Sequence, residues 1–376
     1  MKLIQNIILA IIISINSAFA LIDTNAETAI IMDADTGYIL YEKNADKKVF
    51  PASMTKIMTT MIVFEKLSNG SLTLDDTFLV SEKAWREREG SSMFVEVDKE
   101  IRVEDLLRGI IVQSGNDACI VVAENIAGSE KTFSVLMNEM ASDIGLENTN
   151  FANSTGMHSV KNYSTVADIA KMSQYLINQY PKFYHLFSET EFEWSGISQK
   201  NRNPLLYKDI GADGLKTGYL SISGYGLAAS AKNSGRRLIV VGHGFISQQK
   251  RSQGTARLLN WGFREFTNIN LYSKSSDVGF LPLTMASEDT VSLTTDKDIV
   301  ITVAKAKKDA IETEIVPVDN LKAPFKQGDV VALLKVMIPK TDPQYINLVA
   351  TKDIEEAGYI SSFISYIYNS VLSLFD

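Results

Sequence analysis

The order of hydrophobic patterns along the chain constrains its fold more than any other feature. Two β-rich runs come first, at 28–33 and 38–42, and helical periodicity then dominates as far as residue 179. Three short strand-like runs return within 215–242, and a last helical stretch covers 254–266. The helical periods of the middle part are 54–67, 103–111, 118–126, 133–144 and 165–179. Strands from both ends around a helical middle predict an α+β fold, with helices on the faces of one sheet and a separate helical cluster.

The pattern changes after residue 268. From 269 to 350 the chain shows short alternating runs such as 299–303, 311–318 and 330–337, without a cluster of catalytic residue types. A chain of 376 residues has room for two or three domains. We therefore predict one domain over 21–268 and a small all-β sandwich domain over 269–350.

The N-terminus has the pattern of a secretory signal peptide. Lys2 precedes an apolar run over residues 3–15, and the small residues Ala18 and Ala20 follow. This pattern predicts a signal over 1–20 that is cleaved after Ala20, and therefore a protein that works in the periplasm. A single N-terminal membrane anchor is the alternative, although the run is shorter than a membrane span requires.

The C-terminus has a two-sided pattern. Over residues 354–376, polar residues such as Ser362 and Ser365 recur at helical spacing opposite apolar residues such as Phe363 and Ile367. The pattern predicts an amphipathic helix that lies on a membrane surface, attaching the protein peripherally. The alternative is a terminal helix that docks on the protein itself. The segment contains no Lys or Arg, so apolar burial alone would hold it on lipid.

Composition excludes several classes of function. The chain has 37 Lys and Arg against 45 Asp and Glu, a net charge of −8, so nucleic acid is not an expected partner. One cysteine, Cys119, and three scattered histidines give no zinc-ligand spacing, and we expect neither a metal nor a cofactor. Cys119 itself is predicted to be a buried, small apolar residue.

The first chemical motif is Pro-Ala-Ser-Met-Thr-Lys over residues 51–56. Ser53 and Lys56 are three residues apart at the start of a predicted helix, so the amine can reach the hydroxyl. A lysine that a desolvated, cation-rich site keeps neutral can activate a serine nucleophile. A single Ser-x-x-Lys is usually an incidental surface pair, and Ser247 and Lys250 have the same spacing without a predicted role.

Two further motifs follow. Ser114-Gly115-Asn116 lies between two helical periods, where a hydroxyl could relay protons and a carboxamide could hold a substrate amide, although such residues also form plain turns. In the run Asp-Gly-Leu-Lys-Thr-Gly-Tyr over 213–219, Lys216 and Thr217 could bind a carboxylate. Gly218 would let a ligand lie against the strand backbone. The alternative for this motif is an edge strand that carries a lysine for solubility.

Together, the three motifs resemble the signatures of the penicillin-recognising serine acyltransferases. The stretches PASMTKIMT, GSSMFVEV, VEDLLRGIIVQSGNDA, NRNPLL, DGLKTGY, GYGLAASAK and LLNWGF are similar to those of the low-molecular-mass D-alanyl-D-alanine carboxypeptidases. The resemblance covers about residues 25–268, and the β domain and amphipathic end match that family's usual tail. It implies a β-lactamase/transpeptidase-like catalytic domain, peptidoglycan stem peptides as substrates and covalent binding of β-lactams.

The resemblance also implies roles for individual residues. Ser53 would be the acylated nucleophile, Lys56 its base and Ser114 a proton relay. Asn116 would orient the peptide. Lys216 and Thr217 would hold the terminal carboxylate, and Arg202 and Arg251 would lie near the same end of the cleft. Gly218 and Tyr219 would also bind substrate. The backbone amides of Ser53 and Tyr219 would form the oxyanion hole. Many family members have His or Thr at the position of Tyr219, so the deacylation rate could differ here.

Three rival functions remain open at this point. A peptidoglycan endopeptidase could have the same catalytic core. A class A β-lactamase needs a deacylating glutamate, commonly in an E-x-x-x-N stretch between the second and third motifs, and no Glu there has Asn four residues on. An inactive, membrane-apposed scaffold would have no reason to keep Ser53 and Lys56 together.

Overall fold

A computed structural model describes residues 22–87 and 89–357. Its strands are β1 (Thr28–Asp33), β2 (Ile39–Lys43), β3 (Thr77–Leu79), β4 (Glu100–Arg102), β5 (Glu191–Trp194), β6 (Ile197–Lys200), β7 (Ala212–Leu220), β8 (Gly224–Asn233), β9 (Arg236–Phe245), β10 (Phe266–Tyr272), β11 (Gly279–Pro282), β12 (Thr290–Thr294), β13 (Ile299–Ala304), β14 (Glu312–Pro317), β15 (Val330–Met337) and β16 (Gln344–Ala350). Its helices are α1 (Lys56–Ser68), α2 (Glu82–Arg86), α3 (Val103–Ile111), α4 (Asn116–Ala127), α5 (Glu130–Asp143), α6 (Val166–Gln179), α7 (Pro181–Tyr184) and α8 (Gln248–Glu265). Short 3-10 helices cover Ala52–Thr55, His185–Ser188, Pro204–Tyr207 and Lys305–Ala310.

The two ends of the first domain meet in one antiparallel sheet. Its order is β2-β1-β9-β8-β7, so β1 pairs with β9 across more than 200 residues of sequence. Helix α8 packs on one face of this sheet, and α6 with the helical cluster covers the other. The predicted α+β fold is confirmed, and β7 is an edge strand that remains open to a ligand.

The helical cluster forms around α1. Residues 57–64 of this helix are all buried, because α3, α4, α5 and α6 surround it. Phe64 packs its ring against Tyr180, Phe183 and Phe187 at centroid distances of 5.3–6.3 Å. A helix that is buried on all sides lies in the core, so packing holds the first turn of α1 rigidly in place.

The β domain is longer at both ends than the sequence predicts. Its first strand, β10, begins at Phe266 and pairs with β13, so the predicted start at 269 falls inside a strand. The pair shares one hydrophobic core with the five-stranded sheet β11-β12-β16-β15-β14. At the other end, Ile354 bridges to Phe325 and Glu356 to Ala286. The predicted start of the terminal helix at 354 is therefore wrong, because these residues complete the β domain.

The predicted signal over 1–20 and most of the predicted terminal helix, 358–376, lie outside the described residues. Within 22–87 and 89–357, no helix is long and apolar enough to cross a bilayer.

Buried polar contacts join the two domains. Arg236 Nε in β9 donates to Asp33 Oδ2 at 2.7 Å, and the Asp33 side chain is fully buried. Asn268 Nδ2 in β10 donates to Asp33 Oδ1 at 3.2 Å, while the hydroxyls of Thr36 and Thr302 lie 2.6 Å apart. The central sheet is thus fixed directly to the first pair of strands of the β domain.

Candidate active site

The nucleophile candidate lies on a tight turn just before α1. Ser53 belongs to the 3-10 helix Ala52–Thr55, and Lys56 is the first residue of α1. The sequence predicts α1 from residue 54, two residues too early, because the tighter turn has similar apolar spacing. Lys56 Nζ lies 3.1 Å from Ser53 Oγ, as the three-residue spacing predicts.

Lys56 is 1% exposed, and its other two contacts are with carbonyl oxygens. Nζ donates to Asn116 Oδ1 at 2.7 Å and to the Thr155 carbonyl at 2.6 Å. Burial lowers the pKa of Lys56 to about 8, and the nearby positive charge of Arg202 also lowers it. A neutral amine has two N–H donors and one lone pair. Since both carbonyls can only accept, they take the two N–H groups and leave the lone pair for the Ser53 hydroxyl.

The second motif comes to the same point from the helical cluster. Ser114 has φ +61°, and Asn116 begins α4, two residues before the predicted helix start. Asn116 Nδ2 donates to the carbonyl of Glu89 at 2.7 Å, which fixes its Oδ1 toward Lys56. Ser114 Oγ accepts from Lys216 Nζ at 2.9 Å, so this loop links the two lysines.

Lys216 and Thr217 lie on the edge strand β7, 3% and 6% exposed. Burial lowers the pKa of Lys216 well below its usual value, and the charges of Lys56 and Arg202 lower it further. Several cations in one dry site make each proton easier to lose, and they also favour the entry of an anion.

Gly218 also meets a packing requirement that the sequence does not show. A Cβ at this position would lie 2.8 Å from the carbonyl oxygen of Pro51 and 3.2 Å from Ala52 Cβ. The glycine therefore lets β7 lie against the chain's own nucleophile turn, and that it also lets a ligand lie against the strand backbone stays a prediction. The space at Gly156 is even tighter, because a Cβ at this position would lie 1.9 Å from the Ala52 carbonyl oxygen.

An open cleft of about 580 Å³ joins these groups. Its walls include Ser53, Ser114, Asn116, Thr217, Gly218, Tyr219, Arg202 and Arg251. Arg251 is 6% exposed, and burial lowers its pKa to about 10. Its guanidinium lies 5.7 Å from the ring centroid of Tyr225, on which Tyr219 stacks at 4.3 Å. Arg202 contributes a second guanidinium, which bonds the Ser91 hydroxyl.

Some of the groups that shape this site have no signature in the sequence. The carbonyls of Thr155 and Glu89 hold Lys56 and Asn116, but any residue type supplies a carbonyl. Cys119 is buried beside the site as predicted, and burial raises the pKa of its thiol to about 12.

Asp117, for which the sequence predicts no role, is fully buried. One of its oxygens accepts from the Met93 amide at 2.8 Å, and the other accepts from the Phe94 amide at 2.8 Å and Ser92 Oγ at 2.6 Å. The Asn116 amide bonds the carbonyl of Ser91 at 2.7 Å. These contacts hold the segment 91–95 beside the cleft. The segment lies within the stretch GSSMFVEV, whose resemblance to the family was the one sign in the sequence that it belongs to the site.

We expect Asp117→Ala to destabilise the catalytic domain. Several buried donors would lose a charged acceptor at once, which costs about 3–5 kcal/mol. For a domain of this size, the loss corresponds to a fall in Tm of roughly 10 °C, measurable by calorimetry. Asp143→Ala, at an exposed position of α5, is the control and should leave Tm nearly unchanged. Equal Tm values for the two variants would contradict the proposed role of Asp117.

Comparison with known proteins agrees with this geometry. Residues 15–244 match the D-alanyl-D-alanine carboxypeptidase family, and residues 266–356 match the C-terminal domain of penicillin-binding protein 5. The chain is 34% identical to D-alanyl-D-alanine carboxypeptidase DacA of Haemophilus influenzae, over 93% of this chain and 90% of that protein. A crystal structure of penicillin binding protein 5 from the same organism superposes with a TM-score of 0.85 at 34% identity, covering 89% of this chain and 99% of that one.

A D-alanyl-D-alanine endopeptidase of Escherichia coli is 29% identical, but over 62% of this chain and 76% of that protein. The carboxypeptidase relative therefore accounts for more of the chain, including the β domain. With the Ser53, Ser114 and Lys216 motifs gathered in one cleft, the chain belongs to the D-alanyl-D-alanine carboxypeptidase family.

Proposed function

We propose that this chain is a serine-type D-Ala-D-Ala carboxypeptidase that removes the terminal D-alanine from peptidoglycan stem pentapeptides. The observation that carries the proposal is the environment of Lys56, where two carbonyls take its N–H groups and its lone pair faces Ser53. A pKa of about 8 leaves roughly a tenth of such amines neutral at pH 7, enough to act as a base.

Acylation then follows from the contacts. Lys56 takes the proton of Ser53 Oγ, and the oxygen attacks the carbonyl carbon of the penultimate D-alanine. The backbone amides of Ser53 and Tyr219 would stabilise the resulting oxyanion. The C–N bond breaks as the leaving nitrogen receives a proton through Ser114, which contacts Lys216. Free D-alanine departs, and water later hydrolyses the ester on Ser53.

Recognition of the substrate rests on the cations of the cleft. Lys216, Thr217 and Arg251 would bind the terminal carboxylate, which is the negative charge that a carboxypeptidase must find. Asn116 would hold the peptide amide, and Arg202 adds positive charge beside it. Because burial depresses the pKa of Lys216 and Arg251, a bound carboxylate would raise both pKa values and stabilise the charged forms.

The carboxypeptidase and endopeptidase functions differ in the product. We expect the purified protein to release free D-alanine from a stem pentapeptide, measured by an amino-acid oxidase assay. Cross-linked dimers, incubated in parallel and separated by chromatography, should be cut more slowly. Cleavage of dimers without D-alanine release from the pentapeptide would favour the endopeptidase.

For location, the proposal is a periplasmic enzyme attached peripherally to the membrane. It is supported by the signal-like pattern over 1–20 and by the two-sided apolar pattern that follows the β domain. The target of the cleft, the cell-wall stem peptide, also lies outside the cytoplasm.

A truncation after Ala357 tests the attachment. The bridges at Ile354 and Glu356 remain in this variant, so the β domain should stay folded. We expect the truncated protein in the soluble periplasmic fraction and the full chain with membranes, measured by immunoblot after fractionation. Equal membrane retention of both forms would refute attachment through the C-terminal segment.

A further inference from the structure

A β-bulge lies behind the nucleophile turn. Strands β8 and β9 pair Tyr225 with Phe245 and Leu227 with Gly242. His243 and Gly244 of β9 therefore lie opposite the single residue Gly226 of β8, and Gly244 has φ +79°. Bulges re-aim side chains and are common beside active sites.

The bulged residue His243 reaches the backbone just before the nucleophile. Its Nε2 lies 3.1 Å from the carbonyl oxygen of Phe50, and the side chain is 2% exposed. Because a carbonyl can only accept, Nε2 must hold the proton and donate it. Nδ1 is then bare, and it is buried without a hydrogen-bond partner among the described residues. The imidazole is thus fixed as one neutral tautomer.

The same bulge contacts two parts of the cleft. A Cβ on Gly226 would lie 2.8 Å from Met54 Cε and 3.1 Å from His243 Cδ2, so all three groups are in close packing. Met54 directly follows Ser53. On its other side, the Gly226 carbonyl lies 3.5 Å from Arg251 Nη1. A shift of the bulge would therefore move the nucleophile turn relative to the carboxylate end.

We propose that His243 is a positioning residue for acylation, which holds the turn carrying Ser53 in place through the carbonyl of Phe50. The inference rests on the proposed function, because it assigns the residue to that same reaction. His243 touches no reacting atom, and its effect passes through three backbone residues to Ser53.

The charges around His243 leave this hydrogen bond intact at working pH. Glu27, whose amide donates to the His243 carbonyl at 2.9 Å, forms an ion pair with Lys47. Burial lowers the pKa of His243 despite Glu27, so the ring stays neutral as pH rises through the range in which Lys56 deprotonates. Loss of this hydrogen bond should lower the acylation rate that is reached at high pH. The pH at which the rate is half of that value should not change.

Three replacements separate the hydrogen bond from the bulk of the ring. His243→Gln keeps an N–H donor at the reach of Nε2, His243→Asn has a donor that is too short, and His243→Leu has none. The control is His185→Gln, since His185 also bonds a backbone carbonyl, that of Lys182, at 3.0 Å, but is exposed. Each full-length variant is mixed with labelled penicillin, and the acylation rate, its pH profile and Tm are measured.

We expect acylation to be about tenfold or more slower in the Asn and Leu variants, because small displacements of a nucleophile are costly. The Gln variant should stay within about threefold of wild type, and the His185 control should be unchanged. Wild-type rates for Asn and Leu, or a Gln variant as slow as Leu, would overturn the proposal. If Leu fails to fold, the comparison of Gln with Asn decides. Failure of the wild type itself to label would instead reject the proposed function.

Discussion

Labelled penicillin is expected to add covalently to the wild-type chain and to leave a Ser53→Ala variant unlabelled. The β-lactam carbonyl can replace the peptide carbonyl in the cleft, and the ester it forms on Ser53 should be long-lived. The expected loss is essentially complete, because alanine has no nucleophile and Ser53 Oγ is the hydroxyl that Lys56 Nζ contacts in the described cleft. Gel fluorescence and peptide mass spectrometry measure the adduct.

The chain supplies a matched control in Ser247→Ala. Ser247 and Lys250 repeat the Ser-x-x-Lys spacing, but here the Ser247 hydroxyl accepts from the Lys250 amide at 3.1 Å and caps α8. Loss of this cap should cost about 1 kcal/mol of stability and leave labelling complete. Persistent label on Ser53→Ala would show that another residue is the nucleophile. Rapid loss of the adduct from wild type would indicate a β-lactamase.

Replacing Lys56 by methionine should slow acylation by about 10²–10⁴-fold, the usual contribution of a general base. Methionine has similar length and fits the buried position, so Ser53 would remain in place without a proton acceptor. In wild type, protonation blocks the lone pair below the pKa of about 8. The acylation rate should therefore rise nearly tenfold per pH unit below 8 and level off above it.

Lys131→Met, an exposed change in α5, controls for the loss of one positive charge. It should keep both the rate and the pH profile of the wild type. A Lys56→Met variant that acylates at the wild-type rate would remove Lys56 from the mechanism. A wild-type profile that is flat from pH 6 to 9 would mean that its protonation does not limit the reaction.

Elements with a clear period and clear ends could be predicted to the residue. The predictions 103–111 for α3, 28–33 for β1 and 330–337 for β15 all coincide with the structure. In each case a polar residue, Glu27, Arg102 or Asp329, directly precedes the run, so local physics decides where the element begins. The three chemical motifs could also be recognised in the sequence, because they depend on side-chain type at fixed spacing.

Features that depend on distant backbone could not be predicted. Lys56 meets Thr155 across 99 residues, and the contact uses a carbonyl that every residue possesses. The close approach at Gly218 depends on where Pro51 lies, and the end of the β domain depends on the bridge between Phe325 and Ile354. Helical spacing alone therefore placed the terminal helix too early.

The buried pair of Asp33 and Arg236 at the domain junction has a mechanical consequence. Both residues belong to the middle of the catalytic sheet, and Asn268 carries their contacts into the β domain. Bending at this junction would expose an ion pair that has only 10% and 0% side-chain exposure. The ion pair therefore opposes bending between the catalytic sheet and the first strands of the β domain, and we expect the two domains to move together.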